Sequence, residues 1–296
     1  MKVTINNQIY TYSNNIRDND KIRHSFNALA TQTFGLSFEN WYNAGYWSEK
    51  YVPHVLLDED TVVANVSANI IDCKLNTERK RFIQLGTVMT QDSYRGRGLS
   101  RFLMETVLAE WVDKCDGIYL YANDSVTDFY PRFGFKKSEE YQYKIHTLSG
   151  TETAAGLDMD KEQDVALLLK ACNQGNPFSA LSLIESKGLV MFYCSQFMKS
   201  NVYYCKDYDA VVIAEFDGDV MTCYDIFGSC GGKIEDILHT VAKPDTKQII
   251  LGFTPKESFQ MQAIQIQEEN STFFLYGSNN RLFKEEKLMF PLLSHA

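Results

Sequence analysis

Val88-Met89-Thr90-Gln91-Asp92-Ser93-Tyr94-Arg95-Gly96-Arg97-Gly98-Leu99-Ser100 joins a strand to a helix, and its reading sets the fold. Ahead of the turn, Ile83, Leu85 and Val88 are apolar and β-prone, and the strand-like run ends at Thr90. Behind it, Leu99, Phe102, Leu103, Val107 and Trp111 recur near the helical period and predict an inward-facing stripe. Glycines at 96 and 98 let the backbone turn sharply and approach a ligand with no Cβ in the way. The free amides of the new helix, with its positive dipole end, then converge on an anion, for which phosphate or pyrophosphate is the natural guest. Two arginines interleaved with the glycines favour that reading over a plain tight turn. No Lys-Ser or Lys-Thr pair follows the second glycine and no third glycine stands three residues beyond it, which disfavours ATP-type and NAD-type loops.

The 296-residue chain is long enough for one large domain or two of ordinary size. A net charge of −9 argues against general nucleic-acid binding, which needs a basic face, and suits attraction of a cationic substrate. Cys73, Cys115, Cys172, Cys194, Cys205, Cys223 and Cys230 are scattered with no Cys-x-x-Cys pair, so neither a metal site nor a redox motif follows from them. They read as reduced thiols. The N-terminus has no basic segment leading an apolar stretch, and no apolar run is long enough to span a bilayer. The expectation is a cytoplasmic protein with no membrane partner.

Residues 20–48 read as helical, with Ile22, Phe26, Leu29 and Ala30 on one face, and end among Phe34, Phe38, Trp41, Tyr42, Tyr46 and Trp47. Val55–Leu57 and Val62–Val66 read as a hairpin around the solvated acidic turn Asp58-Glu59-Asp60. A strand at Phe82–Thr90, the glycine turn, its helix and a strand at Ile118–Tyr121 complete an α/β arrangement. Residues 147–160 read as a linker. The second half repeats the order: strands at Val202–Tyr204, Ala210–Glu215 and Val220–Ile226, the turn Gly228-Ser229-Cys230-Gly231-Gly232, a helix with Ile234, Ile237, Leu238 and Val241 in phase, and a strand at Ile249–Phe253. Its turn has glycines but no arginine. A diverged copy of the first half and an unrelated α/β domain both fit that order. The apolar run Leu288–Leu293 predicts a docked tail.

Val88–Thr90 together with Tyr94–Ser100 resembles the acetyl-CoA signature of the GNAT superfamily of N-acetyltransferases. Arg95 and Gly98 match that signature, while Ser100 stands where a Gly or Ala is usual. Downstream, Asn123-Asp124-Ser125-Val126-Thr127-Asp128-Phe129-Tyr130-Pro131-Arg132-Phe133-Gly134-Phe135 resembles the superfamily's segment of strand-closing Asn, Phe-Tyr helix and Gly-Phe strand start. The resemblance covers about residues 1–148 and is strongest over 84–135. It implies a GNAT fold, a mixed and mostly antiparallel sheet flanked by helices, with residues 1–148 as the catalytic domain. Residues 149–296 would then be a degenerate GNAT-like domain.

The resemblance further implies acetyl-CoA as co-substrate, without a metal. Its pyrophosphate would lie on the amides of Arg95, Gly96, Arg97, Gly98, Leu99 and Ser100. Its pantetheine arm would run along Val88, Met89 and Thr90, with the Met89 amide on the thioester carbonyl. Asn123 would touch the cofactor, and its reading as a turn former stays open beside that. Tyr130 would protonate the departing thiolate, the alternative being a core tyrosine. The base is not identified by motif among His24, His54, His146, His239 and His295. Some multidomain relatives direct a C-terminal carboxylate to the transfer centre, which makes Ala296 the candidate, with plain packing of the tail as the alternative. The acceptor would be a primary amine, either a small cationic molecule such as an aminoglycoside or polyamine, or a peptide amine. The aromatic stretch would form its wall and Glu39 would draw in a cation. An acyl-CoA-binding sensor or scaffold without turnover is the competing reading, and oligomeric state is left open.

Overall fold

The computed structural model describes residues 1–146, 149–277 and 280–295. The chain opens with β1 (Lys2–Ile5), β2 (Gln8–Ser13), α1 (Asp20–Phe34), α2 (Glu39–Asn43), β3 (Tyr51–Asp58), β4 (Thr61–Leu75) and β5 (Glu78–Thr90). It continues through α3 (Leu99–Trp111), β6 (Gly117–Ala122), β7 (Lys136–Lys137), β8 (Tyr141–His146), β9 (Ala155–Gly156), α4 (Glu162–Cys172), β10 (Leu181–Leu183) and α5 (Lys187–Cys194). The remainder comprises β11 (Val202–Cys205), β12 (Ala210–Asp217), β13 (Val220–Gly228), α6 (Ile234–Val241), β14 (Gln248–Leu251), β15 (Gln262–Gln265), β16 (Thr272–Tyr276) and α7 (Asn280–Glu285).

Two sheets result. The first runs β1-β2-β3-β4-β5-β6-β16-β7, with β10 also on β4; the second runs β15-β8-β14-β13-β12-β11-β9. Each is antiparallel except for one parallel pair, β5 with β6 and β13 with β14, joined by the crossover helices α3 and α6. The helices on the first sheet follow strand alternation. Val55 and Leu57 pack with Phe26, Leu29 and Ala30 of α1, whereas Leu56 packs with Leu99, Leu103 and Val107 of α3. Asn19 caps α1 by accepting the Ile22 amide, and Gly35 ends it with φ 70°.

A cut at residue 148 would separate strands from the sheets that they complete. β8, from the first half, lies between β14 and β15, and β16, from the second half, lies between β6 and β7. The first sheet thus receives β16 and β10 from the second half and the second sheet receives β8 from the first, all in antiparallel pairing. Residues 147 and 148 themselves are outside the described residues. The expected linker is pinned for much of its length: Thr151, Thr153 and Ala154 donate backbone bonds to His239 and Thr240, and β9 joins β11. A shared core lies between the sheets, where Phe82, Tyr119 and Phe273 meet Met191, Val211 and Phe227. The tail docks there, with Phe290 stacked on Tyr119 at 3.7 Å.

The hairpin of β1 and β2 precedes α1 in the chain. Its two-residue turn, Asn6-Asn7, has φ of 47° and 64°, the conformation of a tight hairpin turn.

Candidate active site

A cleft of about 1110 Å³ opens where β5 and β6 part. The two strands pair from Phe82↔Gly117 to Gln84↔Tyr119 and no further, although β5 runs on to Thr90. Leu85 to Thr90 therefore present an unpaired strand edge to the cleft, ready for an extended ligand. A bulge bends β5 at this place. Asn65 faces Met89 and Ser67 faces Gly86, so β5 has one residue more than β4 between the pairs. Thr87, in the bulge, has φ 50°, which a β-branched residue rarely adopts. Asn65 holds it by donating to the Thr87 carbonyl at 2.8 Å and to Ser67 Oγ at 2.9 Å, while Tyr51 Oη meets Thr87 Oγ1 at 3.0 Å.

The glycine turn closes one end of the cleft. Gly96 and Gly98 have φ 76° and 81°, and no acceptor among the described residues meets the amides of Gly96, Arg97 or Gly98. Leu99 to Arg101 open α3, where amides have no intrahelical partner. Asn6 Nδ2 fixes the turn through the Arg97 carbonyl at 2.9 Å, a role for the first hairpin. Ser100 Oγ meets Thr90 Oγ1 at 2.7 Å and ties the helix start to the strand end. These features fit the pyrophosphate and pantetheine arm of acetyl-CoA: free amides at a helix N-terminus, beside an open strand edge.

The cleft brings together Val88, Met89, Thr90, Arg95, Gly96, Ser100, Asn123 and Tyr130. Arg97, Gly98 and Leu99 stand behind it. Arg97 turns its guanidinium to Gln8, the Ser93 carbonyl and the Tyr94 ring, and the Leu99 side chain is core. Arg95, largely exposed, is paired with Asp92 at 2.8 Å. Asn123 precedes the short helical turn at Asp124–Val126 and makes no capping bond to it. Tyr130 is both a core and a cleft residue: its ring packs on Phe129, Phe135 and Phe274. Burial pushes its phenol up to about 12.

At the other end, Phe34, Phe38 and Trp41 reach the cleft, whereas Tyr42 lies 3.6 Å under Arg23. Glu39 is not available to a cation. Arg23 Nε and Nη2 each donate to it at 3.1 Å, and Asn27 Nδ2 adds a bond at 2.9 Å. The missing part of the wall comes from the second half. Phe192 of α5 stacks on Phe38 at 5.4 Å, and Trp41 Nε1 donates to the Gly188 carbonyl at 2.7 Å. The Tyr46 carbonyl would lie 2.6 Å from a Cβ at Gly188, so glycine is required for α5 to pack this closely.

Of the five histidines, His295 lines the cleft, its ring 4.0 Å from that of Tyr121. Burial lowers it to about 4, and its Nε2 has no partner among the described residues. Tyr121 donates to Glu140 Oε2 at 2.9 Å, and the Phe290 amide donates to Oε1 at 2.7 Å. Burial raises Glu140 to about 8. His54 is buried against the Tyr12 hydroxyl, 2.8 Å away, outside the cleft. Ala296 lies outside the described residues. Among the described residues no cluster of His, Cys, Asp or Glu is arranged to hold a metal ion, and no helix is long and apolar enough to cross a membrane.

Residues 18–138 match the family model for an acetyltransferase (GNAT) domain. No curated protein matches the chain. Among solved structures, it is similar to a conserved protein of Enterococcus faecalis V583, a probable N-acyltransferase, with 11% identity, 90% of this chain and 72% of that one covered, and a TM-score of 0.59. It is also similar to a GCN5-related N-acetyltransferase from Kribbella flavida, at 15% identity, 90% and 71% coverage and a TM-score of 0.55. A third similar structure is Eis1 from Mycobacterium abscessus, at 12% identity, 90% and 73% coverage and a TM-score of 0.53. At these identities the likeness is one of fold.

Proposed function

We propose, from the GNAT acetyltransferase domain that residues 18–138 of this chain form, that the protein moves an acetyl group from acetyl-CoA directly to a primary amine, with Tyr130 as proton donor. The amine nitrogen bonds to the thioester carbonyl carbon, the C–S bond breaks, the nitrogen loses a proton to a base and the thiolate gains one. Free amides at residues 96–101 would hold the pyrophosphate, and the edge Val88–Thr90 would hold the pantetheine arm. Met89 pairs with Asn65 across the ladder, so its own amide faces β4, and a cleft-facing amide of the same edge would serve the carbonyl oxygen as charge develops. Tyr130 is protonated at neutral pH because burial raises it to about 12, so it has a proton to give. Cysteines that are free, and buried except for Cys115, support a reducing, cytoplasmic setting.

The observation that carries the reading is the convergence of unpaired strand edge, free helix-start amides and Tyr130 on one cleft. Replacing Tyr130 by Phe tests it. Acetyl-CoA affinity should be kept while acceptor-dependent thiol release falls about 100-fold or more. Unchanged turnover would remove Tyr130 from the mechanism. Tight acetyl-CoA binding by the unaltered protein, with no thiol release for any amine, would favour a sensor.

A further inference from the structure

We infer that the acceptor is a small monoamine carried on an apolar, aromatic body, an arylalkylamine in chemical class, rather than a polycation. The inference rests on the acetyl-transfer reading above. The acceptor end of the cleft is built from rings. Phe192 stacks on Phe38 with an interplanar angle of 15°, meets Trp41 edge-on at 5.5 Å and lies 5.5 Å from Phe197. At the rim, Phe34 and Phe197 are 43% and 55% exposed, large apolar side chains left in water beside a ligand cleft.

Charge is missing where a polycation would need it. Among the described residues that line the cleft there is no Asp or Glu, and the one charged side chain, Arg95, belongs to the cofactor end. The two acids close behind the wall are occupied. Glu39 is bound by Arg23 and Asn27, and Glu140 accepts from Tyr121 and the Phe290 amide. The net charge of −9 is therefore carried elsewhere on the surface. An aminoglycoside or polyamine would bring several ammonium groups out of water against rings, with no carboxylate to replace their hydration. An arylalkylamine brings one, and that one must lose a proton before it attacks. Its ring would extend the stack of Phe38 and Phe192, a contact that aromatic pairs favour beyond the burial of area.

Thiol release from acetyl-CoA by the full-length protein tests this, with 2-phenylethylamine and tryptamine set against spermidine and kanamycin. The aromatic amines should have a kcat/KM about tenfold or more above both polycations. Phe197→Asp, at an exposed position, should raise the KM for 2-phenylethylamine about tenfold and narrow the gap to spermidine, with acetyl-CoA affinity unchanged. A preference for spermidine or kanamycin would overturn the inference and leave acetyl transfer standing, as would a KM that ignores Phe197→Asp. A phenylalanyl peptide that outruns 2-phenylethylamine would likewise overturn the small-molecule assignment. Acetyl-CoA binding with no thiol release for any of these amines would overturn the acetyl-transfer reading, and this inference with it.

Discussion

Both sheets contain the same unit, a parallel strand pair joined by a crossover helix, and in both the pairing stops partway. In the first, β5 and β6 part after Gln84↔Tyr119; in the second, β13 and β14 part after Cys223↔Leu251. The first junction is a cleft, whereas the second is filled by the chain itself. There, the Gly252 amide donates to the Cys223 carbonyl at 2.7 Å and Asn176 Nδ2 reaches Asp225 at 2.6 Å. The turns differ in the same way. Amides at Gly228, Gly231 and Gly232 are taken by the carbonyls of Gly175, Tyr208 and Cys230, and the Asp209 carboxylate accepts from Ser229 Oγ at 2.8 Å. All three glycine amides of that turn are thus engaged within the protein, and a carboxylate stands beside them to repel an anion. One topology thus gives a site or a scaffold according to whether its backbone groups find partners within the protein.

Matched substitutions in the two turns give the sharpest break of that comparison. A Cβ at Gly96 or at Gly231 meets nothing within 4 Å, so an aspartate fits at either place. Asp tolerates the left-handed backbone of Gly96 better than most residues. Gly96→Asp sets a carboxylate beside the helix-start amides and should weaken acetyl-CoA binding about 100-fold by calorimetry. Gly231→Asp should leave the affinity unchanged. Equal effects at the two turns would mean that the second junction also takes the ligand.

A smaller effect is expected at the bulge of β5; β13 bulges in the matching place, with Tyr224 extra between Ile213↔Asp225 and Ala214↔Cys223, but there the junction is filled. Asn65→Ala removes the bonds to the Thr87 carbonyl and Ser67 Oγ, leaving the bulge without its buried donor. The loss should cost about 2 kcal/mol in urea unfolding. Acetyl-CoA affinity should fall as well, because the edge of β5 is then free to straighten. Lost stability with unaltered affinity would separate the bulge from the site.

The glycine turn was legible because its demand is local: positions 96 and 98 need positive φ whatever surrounds them. The amphipathic helices α3 and α6 and the hairpin of β3 and β4 were legible from periodicity. Strand exchange was not. Tyr141-Gln142-Tyr143-Lys144-Ile145-His146 alternates equally well on either sheet, and only tertiary contacts choose between them. Glu39 read as a cation attractor because Arg23, its partner, stands a helix away in the sequence. The wall needed Phe192, whose place over Phe38 no local pattern gives. The Asn6-Asn7 pair was the one overlooked signal that sequence rules could have turned into a hairpin, and hence into the brace under Arg97.

The smallest expected effect concerns pH and belongs to the closed junction. Asp225 is buried there, accepting from Asn176 Nδ2 at 2.6 Å and from the Ile226 amide at 2.9 Å, and burial raises it from 3.8 to about 7. Between those values the folded chain holds a proton at Asp225 that the unfolded chain has lost, so this group's contribution to stability falls as pH rises through the window. Asp225→Asn keeps an acceptor oxygen for both donors and removes the titration. It should flatten the loss of stability between pH 5 and pH 8, with a gain of roughly 1–2 kcal/mol at the upper end. Urea midpoints at the two pH values measure this, and an unchanged slope would show that Asp225 is charged throughout. Acetyl-CoA affinity should not move, since the junction that holds Asp225 has its backbone groups already spoken for, and a change in affinity would tie the two junctions together after all.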